Sequence, residues 1–167
     1  MGLRRATAAS FVLLAVLTGC GRGQSGSPPS VTVEVGGQSV DLRPTQYCVG
    51  DTGQRYTDVV APIIEVSPDT VIAFTVPGDV AGQGWSVQVF DEKLEEKIGE
   101  VEVDEGEAVF DQINTSDVVP AAFYLVVVED KGGPCGLFSG AWPVGFIRAG
   151  GAGTSTDGAT PSAAPSS

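Results

Sequence analysis

Ala122-Phe123-Tyr124-Leu125-Val126-Val127-Val128 is the segment from which the fold is read. It is too short for a buried helix and dominated by β-branched and aromatic residues, which pack well on a pleated surface. Apolar side chains on both faces predict a strand in the middle of a sheet. Downstream, Ala141 to Ile147 (AWPVGFI) predicts a closing strand, which Pro143 would confine to an edge because proline donates no ladder hydrogen bond. Upstream, Trp85, Val87 and Val89 alternate with Ser86, Gln88 and Phe90, and Val71 to Val76 (VIAFTV) is cut by Pro77-Gly78. Val59 to Val66 is another β-branched run, marked by Pro62 as an edge strand or bulge. Val31, Val33 and Val35 alternate with polar residues, and Gly36-Gly37 offers a hairpin turn into Val40 and Leu42. Ile98, Val101 and Val103 lead through a turn at Asp104-Glu105-Gly106 to Val109-Phe110. No apolar stripe of helical spacing persists for three turns. The pattern predicts an all-β, antiparallel, immunoglobulin-like sandwich of about 7–9 short strands spanning residues 31–148.

Both ends of that domain change character. Residues 149–167 are Gly, Ala, Ser, Thr and Pro of low complexity, too poor in apolar groups to offset the entropy of ordering. Residues 21–30 (GRGQSGSPPS) are small, polar and proline-bearing, and predict a flexible tether. Before them, Arg4 and Arg5 precede an apolar run from Ala6 to Leu17, the charged and hydrophobic regions of a secretory signal too short to span a membrane. The run ends in Leu17-Thr18-Gly19-Cys20, which resembles the lipobox of bacterial lipoproteins. The resemblance implies that residues 1–19 are a lipoprotein signal peptide cut before Cys20. It also implies that Cys20 carries a diacylglycerol thioether, with a further acyl chain such as palmitate on its new amino group. Two or more chains anchor a protein stably where one does not. The expected address is the extracytoplasmic face of the cell membrane.

Of three cysteines, lipidation consumes Cys20 and leaves Cys48 and Cys135 as an even pair in an oxidising compartment. A structural disulfide between them is expected. The rival, a two-cysteine metal or redox site, finds no histidine to complete a zinc shell and no C-x-x-C spacing.

Nine basic residues face 21 acidic ones. Loss of residues 1–19 takes Arg4 and Arg5 and deepens the charge from −12 to about −14. Such a surface repels nucleic-acid phosphates and anionic headgroups, so membrane attachment rests on the acyl chains of Cys20 and no nucleic-acid partner is expected. The absence of histidine removes Ser-His-Asp and Cys-His mechanisms and the common catalytic metal triads. Gly136-Leu137-Phe138-Ser139-Gly140 has G-x-x-S-G rather than nucleophile-elbow spacing and reads as a turn. Hydrolysis of a sugar bond by a carboxylate pair is the one enzymatic geometry left open. No catalytic residue, cofactor or metal ligand is assigned.

Two features invite a binding role. Asp91 to Glu107 holds nine acids against Lys93 and Lys97. It reads foremost as a solvated hairpin whose charges block edge-to-edge strand pairing, with docking of a basic partner or calcium as rivals. The spacing does not match a calcium loop, and no specific calcium effect on stability is expected. Trp85 and Trp142 are alternatively core residues or a carbohydrate-stacking platform; the alternation around Trp85 points it inward.

Val31 to Gly37, then Pro44-Thr45-Gln46-Tyr47-Cys48, Phe74-Thr75-Val76-Pro77 running on to Trp85, and Tyr124 to Val128 together resemble a family of small actinobacterial lipoproteins of unknown function. In that family a further cysteine soon follows the first, and this chain has none between Val49 and Pro68. The resemblance implies no activity or ligand. The expectation is a non-enzymatic, lipid-anchored cell-envelope module that binds or spaces an extracytoplasmic partner, an envelope protein or a cell-wall glycan. The alternative is a lipoprotein that binds a small molecule or metal ion for a transporter. An apolar-lined pocket would favour the alternative, and a flat apolar patch the partner-binding module.

Overall fold

The computed structural model describes residues 27–129, 135 and 140–149. The signal segment 1–19, Cys20, most of the tether, the G-x-x-S-G segment up to Ser139 and the tail from 150 onward lie outside the described residues.

The fold is nearly all-β, with a single four-residue helix among the described residues, α1 (Gly78–Ala81). The strands are β1 (Val31–Val35), β2 (Gln38–Leu42), β3 (Gln46–Val49), β4 (Thr52–Arg55), β5 (Ile63–Val66) and β6 (Val71–Thr75). They continue as β7 (Trp85–Phe90), β8 (Lys97–Val103), β9 (Val109–Asn114), β10 (Ala122–Glu129) and β11 (Gly140–Arg148). One sheet has the order β2-β1-β6-β9; the other runs β4-β3-β11-β10-β7-β8, with β5 added to β11. Val31, Val33, Ile72 and Phe74 from the first sheet and Val87, Leu125, Val127, Trp142, Val144 and Phe146 from the second make one buried cluster. The sandwich core is therefore the set of inward positions that the period-two pattern marks.

β10 lies between β7 and β11, the central place that its apolar character predicts. Gly36 and Gly37 both take positive φ, 56° and 79°, the twist that suits a two-residue hairpin between β1 and β2.

Three details depart from the sequence expectation. Among the described residues there are eleven strands rather than 7–9, because the hairpin β3–β4 has too few apolar residues to announce itself. One ladder, β5 with β11, is parallel. Most notably, β11 is not an edge strand despite Pro143. On the side away from β10, β11 pairs with β3 at Gly140 and Ala141 and with β5 from Gly145 onward. Ala141 O accepts from Thr45 N and Gly145 N donates to Pro62 O, so the backbone polar groups of 141, 143 and 145 face that side. Pro143 falls in the gap between the two short partners, where no acceptor waits for a donor. The internal strand thus carries its proline at a break in its own edge.

The registers sort the strand ends into two poles. Val31, Leu42, Thr75 and Val109 end the first sheet on one side, and Trp85, Val103, Glu129 and Gly140 end the second there. The chain enters at this pole, where Trp142 Nε1 donates to Pro29 O at 2.9 Å. The opposite pole holds the Asp91–Glu96 turn, residues 115–121 and Arg148, so the chain leaves there.

Candidate functional site

Cys20, the predicted lipidation residue, lies outside the described residues. Cys48 and Cys135 are joined in a disulfide, with Cα atoms 5.9 Å apart and a sequence separation of 87. The bridge sits at the entry pole: Tyr47 beside Cys48 pairs with Gly140 at the start of β11. Among the described residues no three His, Cys, Asp or Glu side chains come together to hold a metal ion. Nor is any described helix long and apolar enough to cross a membrane.

Both tryptophans are core residues, which removes the carbohydrate-stacking reading. Trp85 is buried edge-on to Phe110 and donates from Nε1 to Glu107 O at 2.8 Å. Trp142 is fully buried and tilted against Tyr47, with ring centroids 5.9 Å apart. Burial, with the Glu129 carboxylate next in weight, pushes the Tyr47 phenol up to about 12.

The acidic segment divides in three: the Asp91–Glu96 turn, the edge strand β8, and the turn into β9. Asp91 Oδ1 accepts from the N–H groups of Glu95 and Glu96, which holds its carboxyl below the usual range. Glu100 is gripped by Lys97 at 2.8 Å, Gln88 at 2.9 Å and Ser86 at 3.0 Å. Lys97 leads the causes that hold the Glu100 carboxyl below its ordinary value, with Gln88 next. The carboxylate of Glu102, on the same outward face, makes no hydrogen bond or ion pair with the described residues.

Beside that strand lies the most apolar concavity described. β8 ends one sheet and β9 ends the other; joined by a short turn, they share no ladder. Between them is a cleft of about 500 Å³. Its floor is Val89, Ile113 and the buried Val118, and its rim is Ile98, Val101 and Val119. Rim side chains stay open to solvent: Val119 is 91% exposed, Ile98 45% and Val101 38%. Gln112 and Asp117 add polar groups to the lining. The mouth is at the exit pole, since Ile98 and residues 117–120 lie at the strand ends away from Pro29.

The cleft wall at 115–121 is held by several bonds. Arg148 donates to Thr115 O at 3.1 Å, Val119 O at 2.9 Å and Pro120 O at 3.0 Å. Thr115 is fully buried; its Oγ1 donates to Ser67 O and accepts from Thr70 N. Asp117 Oδ2 caps Asn114 N at 2.8 Å, and Asn114 Oδ1 accepts from Ser116 N. A wall so fixed is pre-formed, which lowers the ordering cost of binding. Sequence reasoning missed this site. Its only signal was Val118-Val119-Pro120, an apolar triplet after a polar turn and outside any alternating run.

Two other concavities are less suited to a ligand. One of about 380 Å³ lies on the outer face of the first sheet, by Glu34, Gly36, Gly37 and Ala73, and mixes polar and apolar lining about evenly. The other, of about 90 Å³ near Ile63 and Tyr124, is small. Compared with protein-family models, curated proteins and solved structures, the chain matches none.

Proposed function

We propose that this chain is a lipid-anchored, non-enzymatic module of the cell envelope that binds an extracytoplasmic partner in the cleft between β8 and β9. The observation that carries the reading is the solvent-open apolar rim of the cleft, Ile98, Val101 and Val119, at the pole opposite the chain entry: an exposed patch, where an enclosed apolar pocket would favour the small-molecule alternative. Anchoring rests on the Leu17–Cys20 junction and its resemblance to a lipobox. A chain tethered through Cys20 and residues 21–30 would present its entry pole to the membrane and the cleft to the space beyond. Solvent-open valine and isoleucine on a rim are the kind of surface that a partner covers.

A small apolar ligand is the second reading, favoured by the volume of the cleft, which falls in the range of ligand pockets. A resident metal ion gains no support among the described residues.

The test is site-specific photo-crosslinking in intact cells that export the full chain, with the reactive group placed at Ile98, at Val119 or at Ser39. Adducts from the first two positions and none from Ser39 are expected. Absence of adducts at both cleft positions would overturn the reading. Cys20→Ala should abolish anchoring, and recovery of unmodified Cys20 at the mature terminus by mass spectrometry would overturn the lipid attachment.

A further inference from the structure

We infer that the cleft takes an extended polypeptide segment with alternating apolar and basic side chains, added as a new strand along the free edge of β8. This rests on the reading of the cleft as a binding site and goes further in naming what enters it. β8 is seven residues long and among the described residues pairs only with β7, so its other edge offers backbone donors and acceptors that no described strand meets. Such an edge is a template for strand addition, in which main-chain hydrogen bonds give affinity and alternate side chains give specificity.

The pleat of β8 dictates the chemistry of the incoming segment. Val101 lines the cleft with Gly99, and their cross-strand partners Val87 and Val89 belong to the inward row. Glu100 and Glu102 lie opposite Gln88 and Ser86 on the outward face. A strand laid beside β8 therefore sends every second side chain into an apolar cleft and the others past carboxylates. Glu100 is already matched by Lys97, so Glu102 is the charge that the newcomer meets. Opposite charges across a strand pair attract and like charges repel.

Other occupants fit less well. A second copy paired through β8 would bring its own acidic row against this one, in a chain of net charge −12. The tail from residue 150 onward holds no Val, Leu, Ile, Met or aromatic residue to fill the cleft. The charges on β8 reject acidic strands and admit basic ones.

Hydrogen exchange on the full chain tests the inference, with a capped peptide of alternating valine and lysine, long enough to span β8, as the probe. Expected is a slowing of about tenfold or more for amides in Lys97–Val103, weakened by added salt. The valine–glutamate counterpart should give no protection, and Glu102→Lys should reverse the preference. N-methylation of every second probe residue, in the frame that faces β8, should abolish binding while leaving the side chains unchanged. Val101→Asn should weaken binding about tenfold, and Val109→Asn, outside the cleft, should leave it unchanged. Equal protection by both peptides, or binding without protection of β8, would overturn strand addition. If no β8 protection appears but Ile98 and Val119 still crosslink a partner in cells, strand addition falls and the cleft reading stands. Failure of both experiments removes both.

Discussion

At the residue scale, the closest packing gathers around Trp142. A methyl group at Gly140 would overlap the six-membered ring of Trp142 and reach Tyr47 Cδ2 at 3.0 Å. The Trp142 ring has no room to retreat, because it is fully buried and pinned through Nε1 to Pro29. Gly140→Ala should therefore cost about 1–3 kcal/mol by overpacking, read as a lower midpoint in chemical denaturation. An unchanged midpoint would mean that the ring can move. Tyr47 offers a second check from the same cluster. Its pKa is raised from 10.0 to about 12, so the folded chain holds the phenolic proton at pH values where the unfolded chain has lost it. The contribution to stability is complete below pH 10.0 and is lost as pH rises toward 12. Alkaline titration followed by ultraviolet absorbance should show one phenol ionising near 12, and Tyr47→Phe should remove that step.

At the element scale, the segment 115–121 shows how a loop without regular structure is made rigid. Three carbonyls converge on Arg148, and bonds from a charged donor are the stronger kind. Arg148→Met keeps the aliphatic stem and removes the guanidinium. It should cost about 1–3 kcal/mol and speed amide exchange in 115–121, with Lys97–Val103 unaffected. Uniform acceleration across the domain would instead mark Arg148 as a global support. This clamp could not be read from the sequence, because Arg148 meets Thr115 across a separation of 33 residues with no local pattern to announce it. The strands were legible where alternation or an apolar run fixed them, as in β1, β7 and β10. They were illegible where the partner decides, as in the fully exposed β4. Pro143 misled for the same reason. A proline reports a missing donor, and only the tertiary arrangement says whether a neighbour needed one. The cleft was hidden likewise, since it exists between β8, which the sequence places in an acidic, solvated hairpin, and β9, with which β8 shares no ladder.

At the scale of the whole molecule, chain entry and chain exit at opposite poles set how the domain would bear tension. A pull between the two ends of the chain would act lengthwise on β1 and β11, loading their ladders in shear rather than peeling them bond by bond. The disulfide then acts as a mechanical bypass. Tension entering through β1 reaches Cys48, crosses to Cys135 and leaves through β11, so the segment between them carries no load. That segment includes β7, β8 and β9, the walls of the cleft on both sheets. Single-molecule stretching should release a short length in the oxidised chain. Reduction should add about 300 Å, the extended span of 87 residues at roughly 3.5 Å each. Equal lengths in both states would show that the bridge does not shield this segment. A pull on the two ends of the chain would thus stretch those ends first and leave both walls of the cleft folded.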